Sequence, residues 1–301
     1  MNSYTQVVKV EKSIIGGDFR NKRTLLVGSV FYRGDKSVLN HEKGLFDKQT
    51  IRGYVEEIEK LKELSGLQHA YDVIFESVEA ARKFISFIAD VSEDPIFLDG
   101  VSKQARIGSV LFAKEIGIED RCVVNAILCE TSDDELNAIL NSNIKCAVLM
   151  ASEMAMFKPT ELIDIVANKL ISLAKRAGIH QWLVDVGVID LPSMAFSLRN
   201  LRSVKEKLKL PVGCAPCNAA YKLLVDGKLR LEEVRAVNSA LLSMLVLEDA
   251  DYIIYGPIKA ASYAFHVCAT VKAVKVYGEE IEKRDFRKTS FIHGYLKKLS
   301  K

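Results

Sequence analysis

Eight short apolar runs alternate with eight amphipathic segments along this chain, and that alternation restricts the fold more than any other feature. The runs lie at 24–31, 71–75, 95–99, 122–127, 146–150, 181–186, 211–214 and 251–255. A parallel strand covered on both faces reads as a continuous apolar run of this kind. The segments between and after them are 49–64, 78–89, 101–116, 133–140, 159–177, 194–208, 231–247 and 257–276, with apolar residues three and four apart. Leu162, Ile165, Val166, Leu170 and Leu173 mark one such buried face. Turn signals support the divisions, as at Ser92-Glu93-Asp94-Pro95 and Ala177-Gly178-Ile179-His180. Strand then helix, eight times over, predicts an α/β fold: one (β/α)8 TIM barrel occupying residues 1–301 as a single domain. An open doubly wound sheet is the main rival. The count of eight, and the lack of a Gly-rich turn after the first run, favour the barrel.

Outside the repeat, residues 6–15 are expected to form a short N-terminal hairpin on the barrel floor, with Gly16-Gly17 as a following turn. The tail, 283–301, is basic, with Phe286, Phe291, Ile292, Tyr295 and Leu296 interleaved. It reads as a basic C-terminal helix packed on the barrel, or alternatively as a partner-docking element. The chain is 49% hydrophobic and 27% charged, the balance of a soluble globular protein. Its net charge of +3 argues against nucleic acid or an anionic membrane as a partner. No apolar run approaches a membrane span, and Met1-Asn2-Ser3-Tyr4-Thr5-Gln6 lacks the pattern of a secretion signal. A cytoplasmic protein is expected. The six cysteines are scattered, and Cys122, Cys146 and Cys214 fall in or beside strand-like runs as small apolar side chains. No disulfide framework is expected.

Four of the runs end in, or lead to, a carboxylate or an amide: Asp99, Asn125, Asp185 and Asn218. A polar residue at the C-terminal end of a barrel strand projects from the rim where small molecules bind. Two carboxylates and two amides there suit a flat, nitrogen-rich heterocycle offering several N–H donors. Any one of them alone could equally cap the next helix, but independent caps need not converge. Glu76 and Asp72 are weaker candidates. Asp72 opens its run, which puts it on the floor, and Glu76 precedes Ser77, itself a helix cap. The connection after the first run is long, 32–48, and long loops on this face are lids or binding loops. Tyr32, Arg33 and Lys36 are its candidate contact residues, for a substrate tail or a partner's acidic surface. Gly256-Pro257-Ile258 either opens a helix that binds an anion or forms a plain turn.

The segment Gly28-Ser29-Val30-Phe31-Tyr32-Arg33-Gly34, followed by Lys36 and by Gly44-Leu45-Phe46-Asp47-Lys48, resembles the H subunit of tetrahydromethanopterin S-methyltransferase. So does Gly213-Cys214-Ala215-Pro216 with Asn218-Ala219. The resemblance extends from near Val10 to near Gly278. That family is similar to the pterin-binding methyltransferases of the dihydropteroate-synthase-like superfamily, which are barrels. The resemblance implies methyl transfer between N5 of a tetrahydropterin (tetrahydromethanopterin or tetrahydrofolate) and the cobalt of a corrinoid carried by another protein. It implies that Asp99, Asn125 and Asp185 hold the pterin ring; Glu76, placed just after the run 71–75, is a further candidate from its position alone. Asn218 would lie beside N5, and Asn218 and Asp185 are the expected catalytic residues. A reduced pterin carries a 2-amino group next to a lactam N–H, and one carboxylate accepts both in a fork.

The corrinoid is expected on a partner. His41-Glu42-Lys43-Gly44 matches only half of the carrier pattern Asp-x-His-x-x-Gly, because Leu39 stands in the aspartate's place. The seventh run leads to Cys217-Asn218 and not to the basic residue that dihydropteroate synthases use there, which argues against that reaction. Partner methyltransferase subunits and a homo-oligomer, such as a dimer, are further expectations, and no directly bound metal is expected. Two rival readings stay open. Cys214-Ala215-Pro216-Cys217 with His266 and Cys268 would suit a zinc-dependent corrinoid-protein:thiol methyltransferase. The other rival is a non-catalytic pterin-binding subunit of a methyltransferase complex.

Overall fold

The computed structural model describes residues 4–18, 24–151, 158–283 and 291–299. It opens with an antiparallel hairpin of β1 (Tyr4–Val10) and β2 (Ser13–Asp18). The turn falls at Glu11 and Lys12, and Gly16-Gly17 belong to β2, a correction to the expected order. The reason is steric. Gly16 has φ +91°, and a Cβ there would stand 2.2 Å from the Gln6 carbonyl oxygen across the hairpin. Val8, Val10 and Ile15 insert into the bottom of the barrel. Thr5 Oγ1 donates to Asp251 Oδ1 at 3.0 Å and fastens the hairpin there.

The barrel begins with β3 (Leu25–Val30), and the loop after it carries β4 (Val38–Asn40) and β5 (Leu45–Phe46). Then follow α1 (Lys48–Ser65), β6 (Gln68–Phe75), α2 (Val78–Val91), β7 (Ile96–Gly100) and α3 (Lys103–Glu115). Next come β8 (Cys122–Ile127), α4 (Asp133–Ser142) and β9 (Cys146–Leu149). The fifth helical segment divides into α5 (Pro159–Asp164), a π-helical stretch (Ile165–Leu170) and α6 (Ile171–Arg176). The chain continues through β10 (Gln181–Asp185), α7 (Ser193–Lys207), β11 (Val212–Cys214), α8 (Cys217–Val225), α9 (Leu231–Leu247) and β12 (Tyr252–Pro257). A short 3-10 turn (Ile258–Ala260) leads to α10 (Ala261–Lys283), and α11 (Phe291–Leu299) ends the description.

Eight parallel strands close in the order β10-β11-β12-β3-β6-β7-β8-β9, so the fold is the (β/α)8 barrel that the alternation predicts. Inside lie Leu25, Val27, Ala70, Phe97, Val123, Val148, Leu183 and Ile254. A second apolar layer separates the strands from the helices. Helix α8 has no counterpart among the expected segments. At nine residues, stopped by Asp226 and Gly227, it is too short to show a clear period. Pro257 ends β12, and the 3-10 turn Ile258–Ala260 runs directly into α10.

The long loop after β3 does not cover the barrel mouth. Its hairpin lies against α2, with Phe46 meeting Phe31, Phe84 and Phe87 edge-on and Phe31 stacked on Phe84 at 4.0 Å. Ser77 Oγ donates to the Glu42 carbonyl and accepts from the Ala80 amide at 3.0 Å, joining the helix cap to the loop. Ser77→Ala is expected to lower stability by about 1 kcal/mol, measured by urea denaturation. At the other end, α11 packs onto the barrel. Tyr295 is buried and its hydroxyl meets Thr270 Oγ1 at 3.1 Å, while Lys298 donates to the Glu63 carbonyl. Of the interleaved tail residues, Phe286 lies outside the described residues. Among those described, no helix is long and apolar enough to cross a membrane.

Candidate active site at the barrel mouth

Side chains alternate between the two faces of a strand, so a residue two places beyond an interior side chain also points inward. Asp72 follows Ala70 by two, Asp99 follows Phe97, Asn125 follows Val123, and Asp185 follows Leu183. The upper interior layer of this barrel is therefore polar where the lower layers are apolar. Above it lies a cavity of about 390 Å3, within the usual range of small-molecule sites. Asp99, Asn125, Asp185 and Asn218 all line it, so the four expected rim residues meet in one cavity. Ile74, Met150, Val188, Ile189 and Ile254 supply apolar walls.

Asp72 lines the same cavity, and the expectation that it sits on the floor is corrected. Strand β6 starts at Gln68, three residues before the apolar run, so Asp72 is its fifth residue and reaches the mouth. Gln68 and His69 hide that start from a reading by hydropathy. The strand register pairs Ser29 with Asp72. Ser29 Oγ donates to Asp72 Oδ2 at 2.9 Å, and Asn125 Nδ2 donates to Asp72 Oδ1 at 3.1 Å. Asp185 Oδ1 accepts from the Gly187 amide at 2.7 Å. Asn218, in the first turn of α8, stands exposed at the rim with Nδ2 3.5 Å from the Val188 carbonyl.

Burial raises all three carboxyl groups, because a charge loses its water there. Asp72 is pushed up to about 6, a rise moderated by its hydrogen bonds from Ser29 and Asn125. Asp185 is pushed up to about 7, moderated by the Gly187 amide and reinforced by the nearby Asp72 charge. Asp99 lies well above the ordinary carboxylate range through burial and repulsion from Asp72, opposed by Arg106. Without a ligand, Asp185 is therefore part-protonated at neutral pH, while Asp72 is largely ionised there. A ligand offering N–H donors would stabilise the ionised forms.

Arg106 also lines the cavity and was not anticipated, and so does Cys217, which was named only for the zinc rival. Arg106 belongs to α3, and its Nε donates to Glu135 at 2.7 Å. The signal for it was Gly100: a Cβ there would stand 2.6 Å from Arg106 Cγ, so the glycine after Asp99 makes room for the arginine. The Cys217 thiol is buried and raised to about 12, mainly by burial.

Glu76 is not among the cavity-lining residues. It faces the exposed Arg33 at 3.9 Å instead. Neither Tyr32, Arg33 nor Lys36 lines the cavity, because the loop is anchored on α2. Tyr32 is half-buried, and the Lys259 ammonium lies 5.9 Å from its ring centre. Cys214 is buried, and His266 is exposed while Cys268 is buried. Among the described residues, no three His, Cys, Asp or Glu side chains group as metal ligands. A second concavity of about 800 Å3 lies by the barrel floor, lined by Lys62, His69 and Asp94 among others. Lys62 and Asp94 are already paired at 2.6 Å. The N-terminal face of a barrel usually serves stability.

Residues 4–284 match the family model for the tetrahydromethanopterin S-methyltransferase MtrH subunit. The H subunit of tetrahydromethanopterin S-methyltransferase from Methanothermobacter marburgensis is 28% identical over 281 residues, covering 87% of this chain and 88% of its own length. That of Methanopyrus kandleri is 30% identical over 287 residues, covering 88% and 89%. Among solved structures, dihydropteroate synthase from Xanthomonas albilineans in complex with 7,8-dihydropteroate superimposes with a TM-score of 0.62 at 14% identity, covering 89% of this chain and 98% of that one. Yersinia pestis dihydropteroate synthase in a sulfonamide complex gives 0.63 at 12% identity, covering 89% and 100%. Identity this low shows a shared barrel architecture. The family assignment rests on the sequence matches along nearly the whole chain: this protein belongs to the tetrahydromethanopterin S-methyltransferase MtrH subunit family.

Proposed function

We propose that this protein binds a methylated tetrahydropterin in the mouth cavity and transfers its N5 methyl group to the cobalt of a corrinoid held by a partner protein. The observation that carries the reading is the meeting of Asp99, Asn125 and Asp185 in one cavity with Asn218 at its rim, in a chain of this family. The acids and the amide match the N–H-rich edge of a reduced pterin. The apolar walls suit its ring faces.

The division of labour follows from the residue types. A reduced corrinoid supplies a strong cobalt nucleophile, so the chain needs no nucleophile of its own. Its task is to hold the methyl carbon in line with the incoming metal and to stabilise the leaving nitrogen. Asp99, Asn125 and Asp185 orient the ring. Asn218 donates to N5 or orients a water there. Asp185 is ionised when it accepts the ring's N–H donors, so the proton for N5 comes from solvent, through a water that Asn218 orients. The methyl group leaves as a cation equivalent, the N5–C bond breaks as the cobalt–carbon bond forms, and N5 takes up a proton.

The test mixes the protein with methyl-tetrahydrofolate or methyl-tetrahydromethanopterin and a reduced corrinoid protein, and follows the cob(I)amide absorption. Its loss, dependent on both protein and pterin, is expected. Pterin binding with an unchanged spectrum for every carrier would favour a binding subunit without turnover. Absence of pterin binding would overturn the assignment of the cavity.

A further inference from the structure

We infer that Asp72 is a positioning residue that locks the Asn125 amide in one orientation, so that the cavity presents a paired acceptor and donor between its two recognition carboxylates. The inference rests on the pterin reading and names the ligand edge that the site selects: an exocyclic amino group beside an unprotonated ring nitrogen.

Asp72 is only 3% exposed, and each of its oxygens accepts from a protein donor. It has little left to offer a ligand, unlike the half-buried Asp99. An ionised carboxylate accepts and never donates, so the Asn125 atom facing it must be the amide nitrogen. The reversed amide would set Oδ1 against a carboxylate oxygen in a buried place, leaving two acceptors opposed and unsatisfied. Ser29 holds Asp72 from its other side, through the strand register that pairs the two residues. The orientation of Asn125 is thus set by a chain of three side chains on β3, β6 and β8.

Asn125 Nδ2 carries two hydrogens. One is committed to Asp72, and the other remains beside Oδ1 on the free edge of the amide. That edge reads an amino group next to a ring nitrogen, as asparagine does when it reads adenine. Asp99 and Asp185 offer only acceptors when ionised. The site therefore distinguishes a 2-aminopterin from a ring of equal size lacking the amino group.

The experiment is a double-mutant cycle read by calorimetry with tetrahydrofolate. Asp72→Asn keeps its amide oxygen towards Ser29 and turns its own NH2 towards Asn125, which favours the reversed Asn125 amide, and is expected to weaken binding about tenfold, equivalent to one buried hydrogen-bond mismatch. In an Asn125→Ala background the same change is expected to alter binding less than twofold. With a reduced pterin lacking the 2-amino group, the Asp72→Asn penalty should likewise fall below twofold. Ser29→Ala, which loosens Asp72 while keeping its charge, is expected to give a smaller loss that also vanishes in the Asn125→Ala background. This variant decides the matter if Asp72→Asn does not fold. Equal penalties with and without Asn125 would overturn the inference, since Asp72 would then act through its charge. A parent protein that binds no reduced pterin would overturn the functional reading and this inference with it. Binding by the parent with an additive cycle would overturn the inference alone.

Discussion

Asp99→Ala and Asp185→Ala are each expected to weaken reduced-pterin binding about ten- to hundredfold while the barrel still unfolds cooperatively. Each substitution removes a carboxylate that accepts charge-assisted hydrogen bonds, a loss of about 1.5–3 kcal/mol. The fold survives because these side chains line a cavity above the apolar layers. A pH dependence accompanies the binding. Asp185 sits near 7 without a ligand, and a donor edge binds its ionised form. Affinity should therefore rise with pH across roughly 6 to 8, with release of a proton, and Asp185→Asn should flatten that slope. Calorimetry in buffers of different ionisation enthalpy counts the proton. Parent-like affinity in both alanine variants would sink the site assignment.

The second large effect runs the opposite way, on stability. Asp185→Asn is expected to make the unliganded protein more stable at pH 8. The carboxyl of Asp185 is raised from 3.8 to about 7. Between those values the folded state holds a proton that the unfolded chain releases. Stability therefore falls as pH climbs through that window, and the full cost is present above it. A displacement of this size corresponds to about 4 kcal/mol at most. An amide avoids the cost of ionisation and still accepts from Gly187, so a gain of about 1–4 kcal/mol at pH 8 follows, shrinking towards pH 4. Guanidinium denaturation at the two pH values measures it. A variant no more stable than the parent at pH 8 would show that Asp185 is not desolvated as the cavity requires. With the expected gain, the binding carboxylate is a cost to the apo fold, as functional groups often are.

Much of the site was legible in one dimension because burial writes itself into hydropathy. Phe97-Leu98-Asp99 and Leu183-Val184-Asp185 are apolar up to the rim and polar at it, which marks both strand and end. Asp72 ranked only as a weaker candidate because Gln68 and His69 precede it in the same strand. A polar strand start on the floor, where Gln68 bonds the hairpin at Ile14, looks like a loop. Arg106 escaped because it arrives from a helix and enters only where Gly100 leaves room. Glu76 was nominated as a carboxylate directly after the apolar run 71–75. It turned towards Arg33 because it lies beyond the last residue of β6, where alternation no longer dictates direction.

The order of apolar runs and helical segments by itself determined the number of barrel strands, the closed barrel and the identity of the rim residues on β7, β8 and β10, because those features depend on local period and on which side chains avoid water. Only the tertiary structure decided that the loop 32–48 lies on α2 rather than over the mouth, and that Asp72 faces Ser29 and Asn125. Those outcomes depend on contacts between residues far apart in the chain, such as Phe46 with Phe84, and no local pattern encodes which distant partner a side chain will meet.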